Sequence, residues 1–535
     1  MNPNNSWKEQ LIRNWKRRLV CSGMAGAIIG ICLVFGFCIE NWKAVPYTDI
    51  RLYLVLLLIC VGVTALVYVL FVFLENRRKH SVAERQYTLR QKLISWGLYS
   101  GIIMVGWMPS FLGVYPGWFN YDAPWQLSMY GNDAITAHHP VLHTVIMGWI
   151  LEFMNGINGT YNKGIALYLL LQMGILALCF GYAVYYMGKK GIGRIGRGIA
   201  LTWFALFPTI VLHVMCPTKD SLFAGFLLVL IILTYELIGQ PEVFLKKKLK
   251  LVSWVVLVFL CIVFRQNSLY VFCLMAVPFL VILRKAWKKV AGMLVAVVAL
   301  YLLYVGPFYA LFEVQPGSKA EFLSVPSQQL VKVYLEQQDS LKEEELLLLE
   351  AFFEEEAFVK YRPKIADYTK GNLDMQRLEE KGGDFWKLYG TLFLQYPAEY
   401  VDAFLINTYG FWYPDATVDI YEDGVSYYFA SEHVPPAVQN SKIPILLKYY
   451  KSFYTGFPVQ DAGVLTWGLS MALYFYGLLI TFVYMIYRKQ VAGIVSCFTV
   501  LLIWMTYLLG PAALVRYVLF LFVIPPIEYV LLMKE

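Results

Sequence analysis

Charge is scarce in this chain. Of its 535 residues only 15% are Asp, Glu, Lys or Arg, against 59% hydrophobic and 17% aromatic residues. That balance excludes a disordered chain and an ordinary soluble domain and points to a polytopic membrane protein. Cysteine excludes a second group of classes. The nine cysteines lie almost all inside apolar runs, none falls between positions 313 and 461, and no CxxC or Cys/His metal spacing occurs. Neither a disulfide framework nor a structural zinc site is expected. No internal repeat relates the two halves, which argues against a transporter built from inverted repeats. The net charge of +8 falls in short bursts between apolar runs rather than on one soluble face, so no nucleic-acid partner is expected. Lys8, Arg13, Lys16, Arg17 and Arg18 precede an apolar stretch too long for a typical signal peptide, with no small-residue cleavage site. That stretch reads as a retained first span.

Crossing roughly 30 Å of hydrocarbon takes about 20 apolar residues. Such runs lie near 19–39, 51–74, 93–114, 164–187, 197–215, 220–238, 250–265, 267–283, 290–312, 463–487, 491–510 and 513–532. A further run at 141–154 is short, and charge decides its place. If it spanned, the basic loop GKKGIGRIGR (188–197) and every later basic loop would face outside. If it lies at the surface or re-enters, the N-terminus and the basic segments 77–92, 189–197, 246–250, 284–289 and 488–489 are all cytoplasmic. The expected fold is therefore an all-α polytopic membrane protein of about twelve transmembrane helices with both termini cytoplasmic. Its expected parts are a two-span addition at 1–92, a transmembrane core at 93–312, a polar domain at 313–461 and a three-span bundle at 462–535. The polar domain holds 24 acids against 13 bases, while the remainder is strongly basic. Within it, 328–362 and 385–414 show amphipathic helical spacing, interrupted by Pro397 and Pro414, so the domain reads as mainly helical and, on this topology, extracytoplasmic.

The segment 115–140, YPGWFNYDAPWQLSMYGNDAITAHHP, lies between two apolar runs and contains no Lys or Arg. An ordinary connection is short, polar and rich in Gly and Ser. Here Asp122 stands among Trp118, Tyr121 and Trp125, where partial dehydration would raise its pKa toward working pH and suit a general base. It could equally ligate Mg²⁺ or Mn²⁺ bridging to a phosphate, or serve as a helix N-cap or solvated loop acid. His138 and His139 can contact a phosphate or donate a proton, or simply open the helix after Pro140. His143 reads as interfacial packing. Lys219 and Asp220 begin a span, where they are costly unless paired or used; Thr218 or Asp220 could instead cap that helix. Arg265, with Gln266 and Asn267 beside it, breaks an apolar hairpin, and Arg516 is a second arginine of this kind. Guanidinium suits phosphate because its fork can hold two oxygens at once, whereas the plainer reading is snorkelling to headgroups. Gln328 and Gln329 could bond sugar hydroxyls or be surface residues. On the topology above all these groups reach one outer face.

Taken in order, YPGWFNYD with Gln126, HHPVLHT (138–144), KDSLF (219–223), FRQNSLY (264–270) and SVPSQQ (324–329) resemble a bacterial family of multi-pass membrane proteins related to the GT-C class of membrane glycosyltransferases. The resemblance runs from about residue 93 to the end. It implies an enzyme of the bacterial plasma membrane that takes a sugar from a polyprenyl-phosphate carrier and gives it to an envelope glycan, lipid or protein. It implies that Asp122 acts as base or orients the acceptor, often with a metal, Mg²⁺ or Mn²⁺, of which Asp122 would be the ligand. Asp220 would assist, and Arg265 and Arg516, with Lys219, would hold the carrier phosphate. Two features depart from the class: no DxD pair occurs in the loop, and the polar domain sits between spans. The rival readings are a transporter or flippase of a lipid-linked or anionic solute and a non-catalytic envelope scaffold.

Overall fold

The computed structural model describes residues 14–78, 84–416, 435–453 and 468–533, all helix, turn and loop without a strand among them. Lys8 and Arg13 lie outside the described residues. In chain order the long helices of the first half are α1 (Trp15–Trp42), α2 (Ile50–Arg78), α3 (Leu89–Gly113), α4 (Ala123–Gly131), α5 (Val141–Asn158), α6 (Tyr161–Lys189), α7 (Arg194–Leu206), α8 (Pro208–Val214), α9 (Lys219–Gly239), α10 (Lys248–Phe264), α11 (Asn267–Ile282) and α12 (Trp287–Leu303). The polar region contributes α13 (Ser324–Gln337), α14 (Glu343–Phe352), α15 (Met375–Gln395) and α16 (Pro397–Thr408), and the chain closes with α17 (Met471–Arg488), α18 (Val491–Tyr507), α19 (Leu519–Val523) and α20 (Pro525–Met533).

Every one of the twelve apolar runs carries helix, yet among the described residues seven helices are long and apolar enough to cross a membrane, or eight if the bent pair α7–α8 counts as one span. The difference has local causes. Helices α10 and α11 have 17 and 16 residues, so each rises only about 24–26 Å. Pro208 begins α8 after a 49° bend, because a proline has no N–H to continue the α7 ladder. Helix α3 is 25 residues long, but Trp, Tyr, Ser, Gly and Pro109 within it dilute its apolar run. Residues 141–154 lie within α5, a separate 18-residue helix that is not among the seven.

Two buried cores are distinct. One runs through the membrane helices; the other, built on Leu330, Val333, Leu349, Phe352, Phe385 and Tyr400, belongs to α13–α16. The apolar spacing of 328–362 thus resolves into α13, α14 and a short helix Glu355–Val359, with the glutamates outward except the buried Glu345. Several basic residues at the helix ends are not free charges: Arg18, 1% exposed, pairs with Glu75 at 2.6 Å, Lys189 and Lys250 both grip Glu236, and Lys190 grips Glu84. Because Glu236 and Lys219 are at opposite ends of α9, this ionic layer and the polar domain bracket the bundle.

Close approach between α1 and α2 depends on missing side chains. A Cβ at Gly26 would lie 2.8–2.9 Å from the backbone of Thr64, and one at Gly30 would meet Cys60. This small-xxx-small spacing lets two membrane helices touch backbone to backbone. Gly26→Ile is expected to lower the melting midpoint in nanodiscs by several degrees, whereas Gly23→Ile, which would meet nothing within 4 Å, leaves it unchanged.

Candidate functional site

The aromatic loop is stitched to the α8–α9 turn, and this brings its acid to the lysine. Gly117 sits at φ 122°, where a Cβ would strike Leu169 and approach the Met215 carbonyl. The Trp118 N–H donates to that same Met215 carbonyl at 2.8 Å, and Cys216 Sγ donates to Asn120 Oδ1 at 2.9 Å. Trp118, Phe119 and Asn120 are buried as a result. Tyr121 then takes φ 55°, a left-handed conformation unusual for a bulky residue, and Asp122 follows as N-cap of α4. Its carboxylate makes no capping bond. It is committed elsewhere.

Asp122 Oδ2 lies 2.9 Å from Lys219 Nζ, 2.9 Å from Arg516 NH1 and 3.8 Å from His139 Nδ1. Asp220, in the first turn of α9, is ion-paired with Arg265 and lies 3.9 Å from Arg516. Thr218 holds the N-cap of that helix but makes no side-chain cap bond. Three cations and two carboxylates thus form one ring drawn from the α4 start, the α9 start, the α10–α11 corner and the turn Val515–Val518. Side-chain exposure is 20% at Asp122, 10% at Lys219, 14% at Arg265, 10% at Arg516 and 1% at Asp220. Burying such groups unpaired would cost several kcal/mol each, which is why all five are paired. Aromatic faces complete the ring: Arg516 stands 4.6 Å from the Tyr121 ring centre and 4.9 Å from that of Tyr517, and Arg265 stands over Tyr517 and Tyr507. Such contacts suit the weakly hydrated guanidinium.

Burial pushes the Asp122 carboxyl up, but Arg516 and Lys219 outweigh it and hold the group well below the usual carboxylate range. The raised pKa expected from the aromatic surroundings is therefore overturned, because desolvation acts against two cations in contact. His139 moves the other way from a free histidine: burial, then Lys219, lowers it to about 3. Lys219 Nζ lies 3.3 Å from His139 Nδ1, and an ammonium can only donate, so that nitrogen is the bare one. His143 is not interfacial but buried; its Nδ1 meets Gln126 Oε1 at 3.1 Å while Gln126 Nε2 donates to Thr144. That bond ties α4 to α5 and fixes the direction in which α4 leaves Asp122.

The other expected groups are placed differently. His138 is half exposed, stacked edge-on against His139 and 4.0 Å from Glu321. Asn267 donates to Thr506, joining α11 to α18, and hydrogen-bonds Tyr507, so it reaches an aromatic face of the ring and none of its charges. Gln328 donates to the carbonyls of Arg362 and Pro363 and accepts from Thr369, and Gln329 donates to the Tyr400 carbonyl and accepts from Tyr389. Both amides are consumed inside the polar domain, so the structure does not bring them to the site. Among the described residues no three His, Cys, Asp or Glu side chains converge as a metal site. The donor set of the ring does not fit Mg²⁺ or Mn²⁺ either, since both carboxylates already face cations. Below the Arg265 corner, an apolar groove among α9, α10, α11 and α18 is lined by Trp254, Cys261, Ser268, Met275, Phe279 and Ser496.

These features define an all-α membrane protein with a buried ionic ring where its spans meet a polar domain. Residues 130–534 match DUF6020, described as a family of unknown function, and the chain belongs to that family. The matched stretch holds Lys219, Asp220, Arg265 and Arg516 and begins just after Asp122. No curated protein and no solved structure matches the chain.

The histidine gives a pH dependence of known sign. The folded protein keeps His139 neutral down to about pH 3, whereas an unfolded histidine takes its proton near 6.5, so the unfolded state binds more protons and stability falls as pH drops below 6.5. Asp122 adds stability that is lost only below the ordinary carboxylate range. The melting midpoint should fall between pH 7 and pH 5, and His139→Asn should make that fall smaller.

Proposed function

We propose that this protein is a multi-span membrane glycosyltransferase that moves a sugar from a polyprenyl-phosphate carrier to a cell-envelope glycan, lipid or protein at the outer face of the bacterial plasma membrane. In this reading the twelve helical runs are all membrane-embedded, both termini are cytoplasmic, and 313–461 lies outside and shapes the acceptor pocket. The observation that carries the proposal is the ring itself. It has three cations against two carboxylates at the end of the spans, and an apolar cavity lined from Ser268 onward lies beyond the α10–α11 corner that carries Arg265. A lipid phosphate needs that combination: cationic donors for its oxygens and an apolar surface for its chain.

The phosphate oxygens would take N–H donors of Arg516 and Lys219, which now grip Asp122, with Arg265 close behind. Losing those contacts loosens the hold that keeps Asp122 a weak base. It can then accept the proton of an acceptor hydroxyl as that oxygen attacks the anomeric carbon and the sugar–phosphate bond breaks. The same cations stabilise the charge that grows on the leaving phosphate. Asp122 acts here as base, Arg516 and Lys219 as phosphate ligands, and no step runs through a metal.

The test is transfer of label from a panel of radiolabelled undecaprenyl-phosphate sugars to envelope extract by the purified protein in nanodiscs. Wild type should transfer label from at least one donor, and Asp122→Asn should lose at least about 100-fold while keeping its yield of folded protein. Equal turnover by the two proteins would remove Asp122 as base. Movement of label across liposomes without transfer would instead support the transporter.

A further inference from the structure

The ring carries a definite excess of charge. Lys219, Arg265 and Arg516 stand against Asp122 and Asp220, and His139 adds nothing, since its Nδ1 faces the Lys219 ammonium at 3.3 Å as an acceptor. One positive charge is left over in a site whose members are 80–99% buried. A neighbouring charged group of the polar domain leaves one negative charge, but in water rather than in the ring: Lys370 pairs with Glu321 at 2.5 Å and Asp367 at 3.0 Å, and these two acids are 38% and 41% exposed, so solvent screens their excess.

A buried site is held most tightly when it and its ligand sum to zero, because a residual buried charge is poorly solvated. A sugar joined to a lipid through one phosphate is a phosphodiester with a single negative charge. A sugar joined through a diphosphate carries two. We propose that this ring selects a singly charged phosphodiester lipid over a diphosphate-linked one, and that Asp220 is the residue that sets the choice. The inference rests on the glycosyl-transfer reading above and narrows its donor. Asp220 touches cations only, buried against Arg265 and facing Arg516, so its part is to cancel one positive charge that would otherwise call for a second negative charge on the ligand.

The charge count also follows the reaction. The acceptor oxygen forms its bond to the anomeric carbon, the bond from that carbon to the phosphate oxygen breaks, and the hydroxyl proton passes to Asp122. The leaving monoester then bears two negative charges, its second pKa being about 6. Protonation of Asp122 leaves three cations against Asp220 alone, so the ring has gained one positive charge as its ligand gained one negative. Site and ligand are matched before and after transfer. With a diphosphate donor they are matched at neither point.

The experiment is equilibrium binding in nanodiscs of three probes that share one polyprenyl chain: a phosphodiester-linked hexose, a diphosphate-linked hexose and the uncharged polyprenol. Wild type should bind the phosphodiester at least about tenfold tighter than the diphosphate. Asp220→Asn should bring that ratio to unity or reverse it, and Asp220→Glu should restore it. If wild type binds both anions equally well and better than polyprenol, the selectivity is wrong and the transferase reading stands. If neither anion exceeds polyprenol, both fall. A ratio unchanged in Asp220→Asn removes the role of Asp220, and if that variant does not fold, the wild-type ratio alone decides.

Discussion

Five ionised side chains, mostly out of water, have to be neutralised by one another at the end of a membrane bundle, and the geometry around them follows from that. Asp122 is held by Lys219 and Arg516, and Asp220 by Arg265. The five come from four elements, so the ring forms only when the aromatic loop, the α9 start, the α10–α11 corner and the turn before α19 are all in place. Buried charge pairs are poor sources of net stability but costly to break. The ring is therefore better understood as a device that fixes register than as a stabiliser. Stability comes from the apolar cores and from close contacts such as Gly26 against Thr64.

The ring accounts for features that are odd when taken singly. Asp122 is an N-cap that does not cap. Tyr121 adopts a left-handed backbone that a tyrosine seldom takes, and its ring covers Arg516. Helix α4 is steered by one buried amide, Gln126, pinned through His143 and Thr144. Each of these places Asp122 Oδ2 between two cations, and each would be wasted if the acid were only a solvated loop residue. An aspartate so held is a weak base until another anion competes for its partners, and on the proposed reading this would couple its basicity to the arrival of a phosphate.

The membrane class and the principal charged groups were legible because charge is conspicuous in an apolar chain. Asp122, Lys219, Asp220, Arg265 and Arg516 stood out as polar groups at span ends, and the structure brings all five together. Tyr507 and Tyr517 did not stand out, since one aromatic among 17% aromatic residues carries no signal; only the adjacency of Tyr517 to Arg516 could have flagged it. For Gln328 and Gln329 the sequence leaves a sugar contact and a surface position both open, because an amide pair at a helix start looks the same whether it faces a ligand, faces water or is bonded inside a domain. The direction of the Asp122 pKa was misjudged for a similar reason: burial can be read from neighbours in sequence, but the countercharges come from residues about 100 and 400 positions away. Span counting went beyond what the helices show where runs were broken, as by Pro208 between α7 and α8, because hydropathy averages across a break that the backbone cannot.

On the proposed reading, the excess positive charge of the ring would be a seat for one phosphate charge. The most direct measurement of this is the shift in melting midpoint when dioctyl phosphate, a simple singly charged phosphodiester, is added to the protein in nanodiscs, for wild type beside Arg516→Gln. The account predicts that the ligand raises the midpoint of wild type and not of the variant, whose ring is already neutral. An equal shift in both proteins, or none in either, would contradict it.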